Sequence, residues 1–405
     1  MGKLVIRQSD KDLLRLGCPP EELNVLDAVT VGQSAWEAFV VEQYLKPGGY
    51  IASGFSQMKF VIGRPGAGKT HLLRRLIGHA RGLGYVAVFL PAPDIRIQNV
   101  DSVYAAIARQ VDMEDLAHRF AHRAVEKLGY DLNQVPANST FLSWVVHEHQ
   151  RIDTLVKRDL EQVLGGLFKR EHVDPNFSLA FTQLALGVLG VRHLSREDRD
   201  LLLGWLRGEK LRAAELHRIY LARSIDRYNA RDMLHALADF VRQQGFTGLF
   251  IAIDQMEDMP LGRNSETGRT KYGNVALADA YQGLREMVDN LPSIPGMMLV
   301  LAGQRDFLEL PRGIKSYDAL WLRIQHEVVS SWFNRFGQLV DLDRAVASSL
   351  TPEDVRLLHE RLIALGMETR PLDEARVRDV LGMSAGDGVY RRLLREMLAD
   401  NEAGG

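Results

Sequence analysis

Gly63-Arg64-Pro65-Gly66-Ala67-Gly68-Lys69-Thr70 matches G-x-x-x-x-G-K-[ST] at every constrained position. The stretch before it, Met58-Lys59-Phe60-Val61-Ile62, is short and apolar like a buried strand, and His71 to Leu83 after it has helical periodicity. Strand, glycine-rich turn and helix form the context in which this motif holds a nucleoside triphosphate. The glycines let the backbone curl so that successive amide N–H groups point at the β-phosphate. Lys69 adds a point charge for the β- and γ-phosphates, and the Thr70 hydroxyl is placed to ligate Mg²⁺. Gly63, Arg64, Pro65, Gly66, Ala67, Gly68, Lys69, Thr70 and His71 are therefore the expected contacts of the nucleotide.

Working outward, 405 residues suffice for two or three domains and a sizeable core. Hydrophobic content of 46% with 25% charged residues is that of a globular chain, without low-complexity tracts or a fixed-period repeat. A formal charge of −2 excludes a whole-protein basic field for nucleic acid and leaves room only for a local patch. Cys18 is the single cysteine, which rules out an intramolecular disulfide and a cysteine-based zinc cluster and fits a reducing cytoplasm. No apolar run approaches a membrane span, and Met1-Gly2-Lys3-Leu4-Val5-Ile6-Arg7 lacks the apolar core of a signal peptide.

Residues 1–57 are expected to form an N-terminal helical segment. Ser34 to Leu45 is amphipathic, Lys46-Pro47-Gly48-Gly49 ends it, and Trp36 and Phe39 fit a core better than a base-stacking platform. The first part of a parallel α/β core spans 58–111 and includes the strand Tyr85 to Leu90, with Gly84 as the preceding helix cap. Almost everything from Asp101 to Gln244 has helical character, which is too much chain for one crossover between strands. A helical insertion over 112–235 follows from that excess. Within it, His147-Glu148-His149 with Glu161 lacks the i, i+4 histidine pair of a metal helix and is expected to be a solvated face. Arg151, Lys157, Arg158, Lys169 and Arg170 are interleaved with Glu148, Asp153, Asp159 and Glu161, the pattern of a mixed-charge helix surface.

The core resumes over 236–320. Gly248 to Ile253 is an apolar strand ending in Asp254, a carboxylate at the sheet edge where ligands bind and where it can hold Mg²⁺ with Thr70. The next position in hydrolytic members of this class is commonly a glutamate that activates water. Here it is Gln255, which can orient a water and cannot take its proton, so Gln255 or Glu257 is the candidate for positioning water. The strand Met297 to Ala302 ends at Gly303-Gln304, which makes Gln304 a candidate sensor of the γ-phosphate. Residues 321–405 are expected to be a helical lid, with Thr351-Pro352-Glu353-Asp354 as one helix start. The fold class is thus α/β: a P-loop NTPase parallel sheet with a large helical insertion and a C-terminal α-helical lid.

With these motifs in place, the chain resembles an AAA+ ATPase of the origin-recognition kind, and more specifically the BrxC/BrxD family of BREX anti-phage systems. BrxD of type 2 systems is the nearest in size and layout. Gly63 to Thr70, Ile251 to Asp258, Leu301 to Phe307 and Tyr317 to Arg323 carry the resemblance. It implies a cytoplasmic ATPase that forms homo-oligomers and works with other phage-defence proteins on DNA, without a membrane. It also implies that Arg323, and less directly Arg335, supply an arginine finger to a neighbouring subunit. Gly386-Asp387-Gly388-Val389-Tyr390-Arg391 resembles a second sensor, with Arg391 reaching over the phosphates. Gln255 departs from the pattern and leaves open a second reading, a nucleotide-gated switch or scaffold that binds ATP and hydrolyses it slowly.

Overall fold

The computed structural model describes residues 6–32, 35–168, 174–264, 268–325, 336–347, 350–382 and 388–398. The chain enters through helices α1 (Gln8–Arg15), α2 (Leu23–Ala28) and α3 (Ala35–Val40), the last running into a π turn at Val41–Leu45. Strand β1 (Gln57–Ile62) leads through the glycine-rich loop into α4 (Lys69–Gly82), and β2 (Val86–Pro91) follows. The helical stretch comprises α5 (Val100–Ala108), α6 (Met113–Lys127), α7 (Phe141–Glu148), α8 (Asp153–Leu167), α9 (Pro175–Val188), α10 (Arg196–Leu206), α11 (Ala213–Arg218) and α12 (Ala230–Gln243). Then come β3 (Leu249–Asp254), α13 (Asp258–Leu261), α14 (Asn274–Asn290), β4 (Met297–Gly303), α15 (Arg305–Glu309) and α16 (Asp318–Ile324). Strand β5 (Leu339–Asp341), α17 (Leu342–Ala347), α18 (Pro352–Ala364), α19 (Glu374–Gly382) and α20 (Val389–Met397) complete the described chain.

The strands form one five-stranded parallel sheet in the order β2-β3-β4-β1-β5. Every residue of β3 and β4 is buried, so both are continuous apolar runs without alternation, as a sheet covered on both faces requires. The order places β4 between β1 and β3. Gln304, just after β4, therefore lies between the glycine-rich loop after β1 and Asp254 at the end of β3.

Two compact units divide the chain: Met1–Asp94 with Phe250–Ser293 and Met297–Gly405, and Ile95–Leu249 with Ile294–Gly296. In the first, α4 lays Leu72, Leu73, Leu76, Ile77 and Ala80 against Val61, Phe250, Ala252, Met298 and Val300 of the sheet, and Trp36, Val40 and Tyr44 close the same cluster. Trp36 is fully buried there, and Phe39 packs on its margin. A second cluster joins Leu14, Val25 and Val29 near the N-terminus to Leu358 and Leu362 of α18 and Leu393 and Met397 of α20. The two ends of the chain thus share one core. Helix α18 begins as its sequence predicts, with a reciprocal capping box between Thr351 and Asp354 and Pro352 at its first position.

The second unit is helical and centres on Phe120, Phe168, Phe177, Phe181 and Phe240, with ring centroids of Phe181 and Phe240 4.2 Å apart. His147, Glu148 and His149 are exposed, and the His149 ring packs edge-on against Trp144 and Tyr130. Arg151 pairs with Asp159 and Lys157 with Asp153, so these cations sit in local ion pairs; Lys169 and Arg170 lie outside the described residues.

One expectation is corrected. The sequence predicts only helix after Leu320, whereas Leu339–Asp341 is a fifth strand, paired with Phe60, Val61 and Ile62 of β1. Three residues are too few to display a two-residue period, and their pairing partner decides their conformation. Lys59 helps to fix it. This fully buried lysine of β1 donates to the carbonyls of Phe336 (2.9 Å) and Gly337 (2.8 Å) at the entry to β5, and its ammonium lies 4.9 Å from the Tyr44 ring centre.

Burial lowers the Lys59 pKa to about 7. The unfolded chain, with a lysine near its ordinary value, holds more protons between pH 7 and about 10.5, so stability rises with pH across that window. The penalty for burying the charge is fully present below pH 7. Urea unfolding at pH 7 and pH 9 should show a gain on the order of 1–2 kcal/mol in the unaltered protein that is absent in Lys59→Met. Equal gains in both proteins would show that Lys59 is not its source.

Candidate nucleotide site

The glycine-rich loop and the start of α4 present a set of unsatisfied donors. Among the described residues, the amide N–H groups of Gly66, Gly68, Lys69 and Thr70 have no protein acceptor. They sit at the positive end of a fourteen-residue helix, an arrangement that favours an anion. The Lys69 ammonium, almost wholly buried, donates back to the loop carbonyls of Gly63 (2.9 Å) and Arg64 (3.0 Å). Burial depresses its pKa, while Glu257, Asp254 and Asp343 favour the charged form, in that order.

Four carboxylates surround this loop, and three are committed. Asp254 accepts from the Thr70 hydroxyl at 2.5 Å and from the Gln255 N–H at 2.9 Å, and burial raises its pKa against both bonds. Asp343, beyond β5, accepts from the Arg64 N–H at 3.0 Å and is clamped, with Asp341, by the Arg305 guanidinium. Asp258 pairs with Lys271 at 2.8 Å. Glu257 is the fourth: its Oε2 accepts the Gln304 backbone N–H at 3.0 Å. Its Oε1 accepts no protein hydrogen bond, and no cation lies within ion-pairing distance, among the described residues.

A cavity of about 480 Å³ opens over the loop. Gly66, Lys69, Thr70, Asp254, Glu257 and Gln304 line its polar end, whereas Leu14, Pro19, Val29, Leu358 and Leu394 line an apolar part. Helix α20 closes it from above. The Gly388 N–H donates to Pro65 O at 2.6 Å and the Arg391 N–H to Gly66 O at 3.3 Å. The approach is so close that a Cβ on Gly66 would lie 2.3 Å from the Arg391 Cβ, and one on Gly388 would lie 2.2 Å from the Ala67 nitrogen. Gly66 also has φ of +79°, a second reason for glycine.

His71 ties three parts of this unit together. Its Nε2 lies 2.8 Å from the Thr30 hydroxyl and its ring stacks on Tyr390 at an interplanar angle of 9°. Thr30 spends its hydroxyl proton on Leu26 O at 2.7 Å, so the histidine must donate, which assigns the Nε2–H tautomer. Burial, then the nearby Arg75, push its pKa down to about 4, so the ring stays neutral at neutral pH.

Of the residues expected at the site, Pro65, Gly66, Gly68, Lys69, Thr70, His71, Asp254, Gln255, Glu257, Gln304 and Arg391 all line the cavity. Gly63, Arg64 and Ala67 do not line it: the carbonyls of Gly63 and Arg64 accept from the Lys69 ammonium, and Ala67 is buried in the core. Arg323 does not line it; it is ion-paired with Asp289 on α14 and donates to Ala319 O at 2.7 Å. Arg335, Gly386 and Asp387 lie outside the described residues. Sequence reasoning missed Asp343, because the strand before it has no readable period. It also missed the apolar lining from Leu14, Val29, Leu358 and Leu394, which are periodic core residues until folding brings the two ends of the chain together.

A family model described as BREX system ATP-binding protein BrxC/D matches residues 12–380. The chain belongs to this family. Membership makes it an ATP-binding protein of a defence system with other components. The matched range contains the glycine-rich loop, Asp254, Glu257, Gln304 and Asp343 and ends before α20, so Tyr390 and Arg391 are features of this chain beyond the match. No curated protein matches the chain, and no helix among the described residues is long and apolar enough to cross a membrane.

Proposed function

We propose that the chain is a Mg²⁺-dependent AAA+-type ATPase, nearest to BrxD of type 2 BREX systems, whose nucleotide cycle drives assembly or remodelling on DNA with partner proteins. The observation that carries this reading is the convergence of four unsatisfied amide donors, the buried Lys69 ammonium and the Thr70–Asp254 pair on one cavity. Thr70 and Asp254 fit the metal, since a hydroxyl and a carboxylate held together at a sheet edge are the hard oxygen donors Mg²⁺ takes. When bound, the ion supplies charge neutralisation between the β- and γ-phosphates. The apolar part of the cavity is proposed to receive the base.

In this reading residues 112–235 are a helical insertion and 321–405 a lid, with Arg391 closing over the phosphates. Arg323, away from its own chain's cavity, acts on a neighbouring subunit's nucleotide, so full activity requires a homo-oligomer. The second reading, a switch that binds ATP and turns it over slowly, is favoured by Gln255.

Competition of ATP against a fluorescent analogue, with Mg²⁺, should show saturable binding, and mass measurement under the same conditions should show an assembly larger than one chain. An absence of any ATP binding would sink both readings. The role on DNA is tested separately: affinity for duplex or single strands, with and without ATP, should fall steeply with salt. No affinity at low salt would remove the DNA part alone.

A further inference from the structure

The strand carrying Asp254 is followed by a glutamine where hydrolytic relatives of this site class hold a carboxylate, and the backbone there is unusual. Gln255 has φ of +61°, a left-handed conformation that costs a residue with a Cβ about 1 kcal/mol. Its N–H closes onto Asp254 Oδ1, Met256 N–H returns to Ala302 O at 2.9 Å, and Asp258 N–H closes a turn on Gln255 O at 3.0 Å. This bend brings Glu257 to the end of β4, where the Gln304 N–H fixes one carboxylate oxygen.

We propose that Glu257, not Gln255, is the general base for attack of water on the γ-phosphate. The assignment rests on the ATP-site reading above. Among the described carboxylates around the loop, Glu257 alone combines an oxygen that accepts no protein hydrogen bond with the absence of an ion pair: Asp258 is paired with Lys271, Asp343 with Arg305, and both oxygens of Asp254 accept, from Thr70 and Gln255. It lines the cavity at the end of the strand that lies between the phosphate loop and Asp254. Of the carboxylates, it also acts most strongly on Lys69. In the step, the water oxygen bonds to the γ-phosphorus and the bond from that phosphorus to the β,γ-bridging oxygen breaks. The electron pair leaves with ADP, and the water proton passes to Glu257 Oε1. Gln255 has no group that can take this proton.

Single-turnover hydrolysis and ATP-analogue affinity, measured on the same preparations, test the assignment. Glu257→Gln keeps an acceptor for the Gln304 N–H, so it should bind the analogue within about threefold of the unaltered protein while losing roughly 10²–10⁴-fold in rate. Glu257→Asp should recover part of the rate. The pH dependence of the rate should differ between the unaltered protein and Glu257→Gln, a difference that a purely structural role does not produce. Gln255→Ala should cost no more than about tenfold. Hydrolysis by Glu257→Gln at the unaltered rate, a larger loss in Gln255→Ala, or ATP binding without turnover in the unaltered protein would each overturn the assignment and leave the ATP site standing. Failure of the unaltered protein to bind ATP would overturn the site reading, and the assignment with it.

Discussion

Lys69→Ala is expected to lower ATP affinity by at least about a hundredfold, roughly 2.7 kcal/mol, the scale of a charge-assisted contact to phosphate made in a water-poor site. The fold should survive the change. The ammonium is buried, its charge is disfavoured by that burial, and its two partners are carbonyls of its own loop. Removing it deletes a ligand for phosphate and relieves a desolvation cost. Thermal unfolding without nucleotide should therefore shift little, whereas the increase in Tm on adding ATP, about 2.7 kcal/mol of stabilisation at a hundred times Kd, should shrink to about 0.4 kcal/mol or less. If the variant keeps that increase, the anion is held by the backbone amides alone and the lysine has another purpose.

Gly388→Ala is expected to have the second-largest effect on ATP affinity, although it adds a single methyl group. The added Cβ would meet the Ala67 nitrogen at 2.2 Å and the Gly66 carbonyl carbon at 2.4 Å, both backbone atoms that cannot swing aside. Helix α20 must lift from the loop, withdrawing Tyr390 and Arg391 from the cavity and straining the packing of Leu393 and Met397. Overpacking of this kind costs about 1–3 kcal/mol, which corresponds to a loss of roughly five- to 150-fold in ATP affinity if closure is part of binding. Gly283→Ala is the control. That glycine lies inside α14 with nothing within 4 Å of an added methyl, and alanine there should stabilise by about 0.5–1 kcal/mol. Equal ATP affinity in Gly388→Ala and the unaltered protein would show that the close approach of α20 is not needed for binding.

Much of the site was legible before folding because its parts are local. The phosphate loop, the strand before it and the helix after it occupy consecutive residues, and Asp254 and Gln304 are marked by ending apolar runs. The Thr351 cap is equally local. What escaped were features made by long-range pairing. Strand β5 exists because Phe60, Val61 and Ile62 offer it an edge and Lys59 holds its entry, and no three-residue string can announce that. The apolar lining of the cavity comes from Leu14 and Val29 at one end of the chain and Leu358 and Leu394 at the other, each indistinguishable in sequence from ordinary core.

The sequence by itself made Gly63 to Thr70 the expected seat of a nucleoside triphosphate, because amide donors, a lysine and a hydroxyl at that spacing suit little else. Tertiary structure alone decided what surrounds that loop. It inserted β4 between β1 and β3, fixed Glu257 on the Gln304 N–H, and laid α20 backbone to backbone on the loop. The physical reason is reach: a motif fixes only groups within a few bonds of one another, whereas the carboxylate and the helix reach the loop through a shared sheet and a shared core.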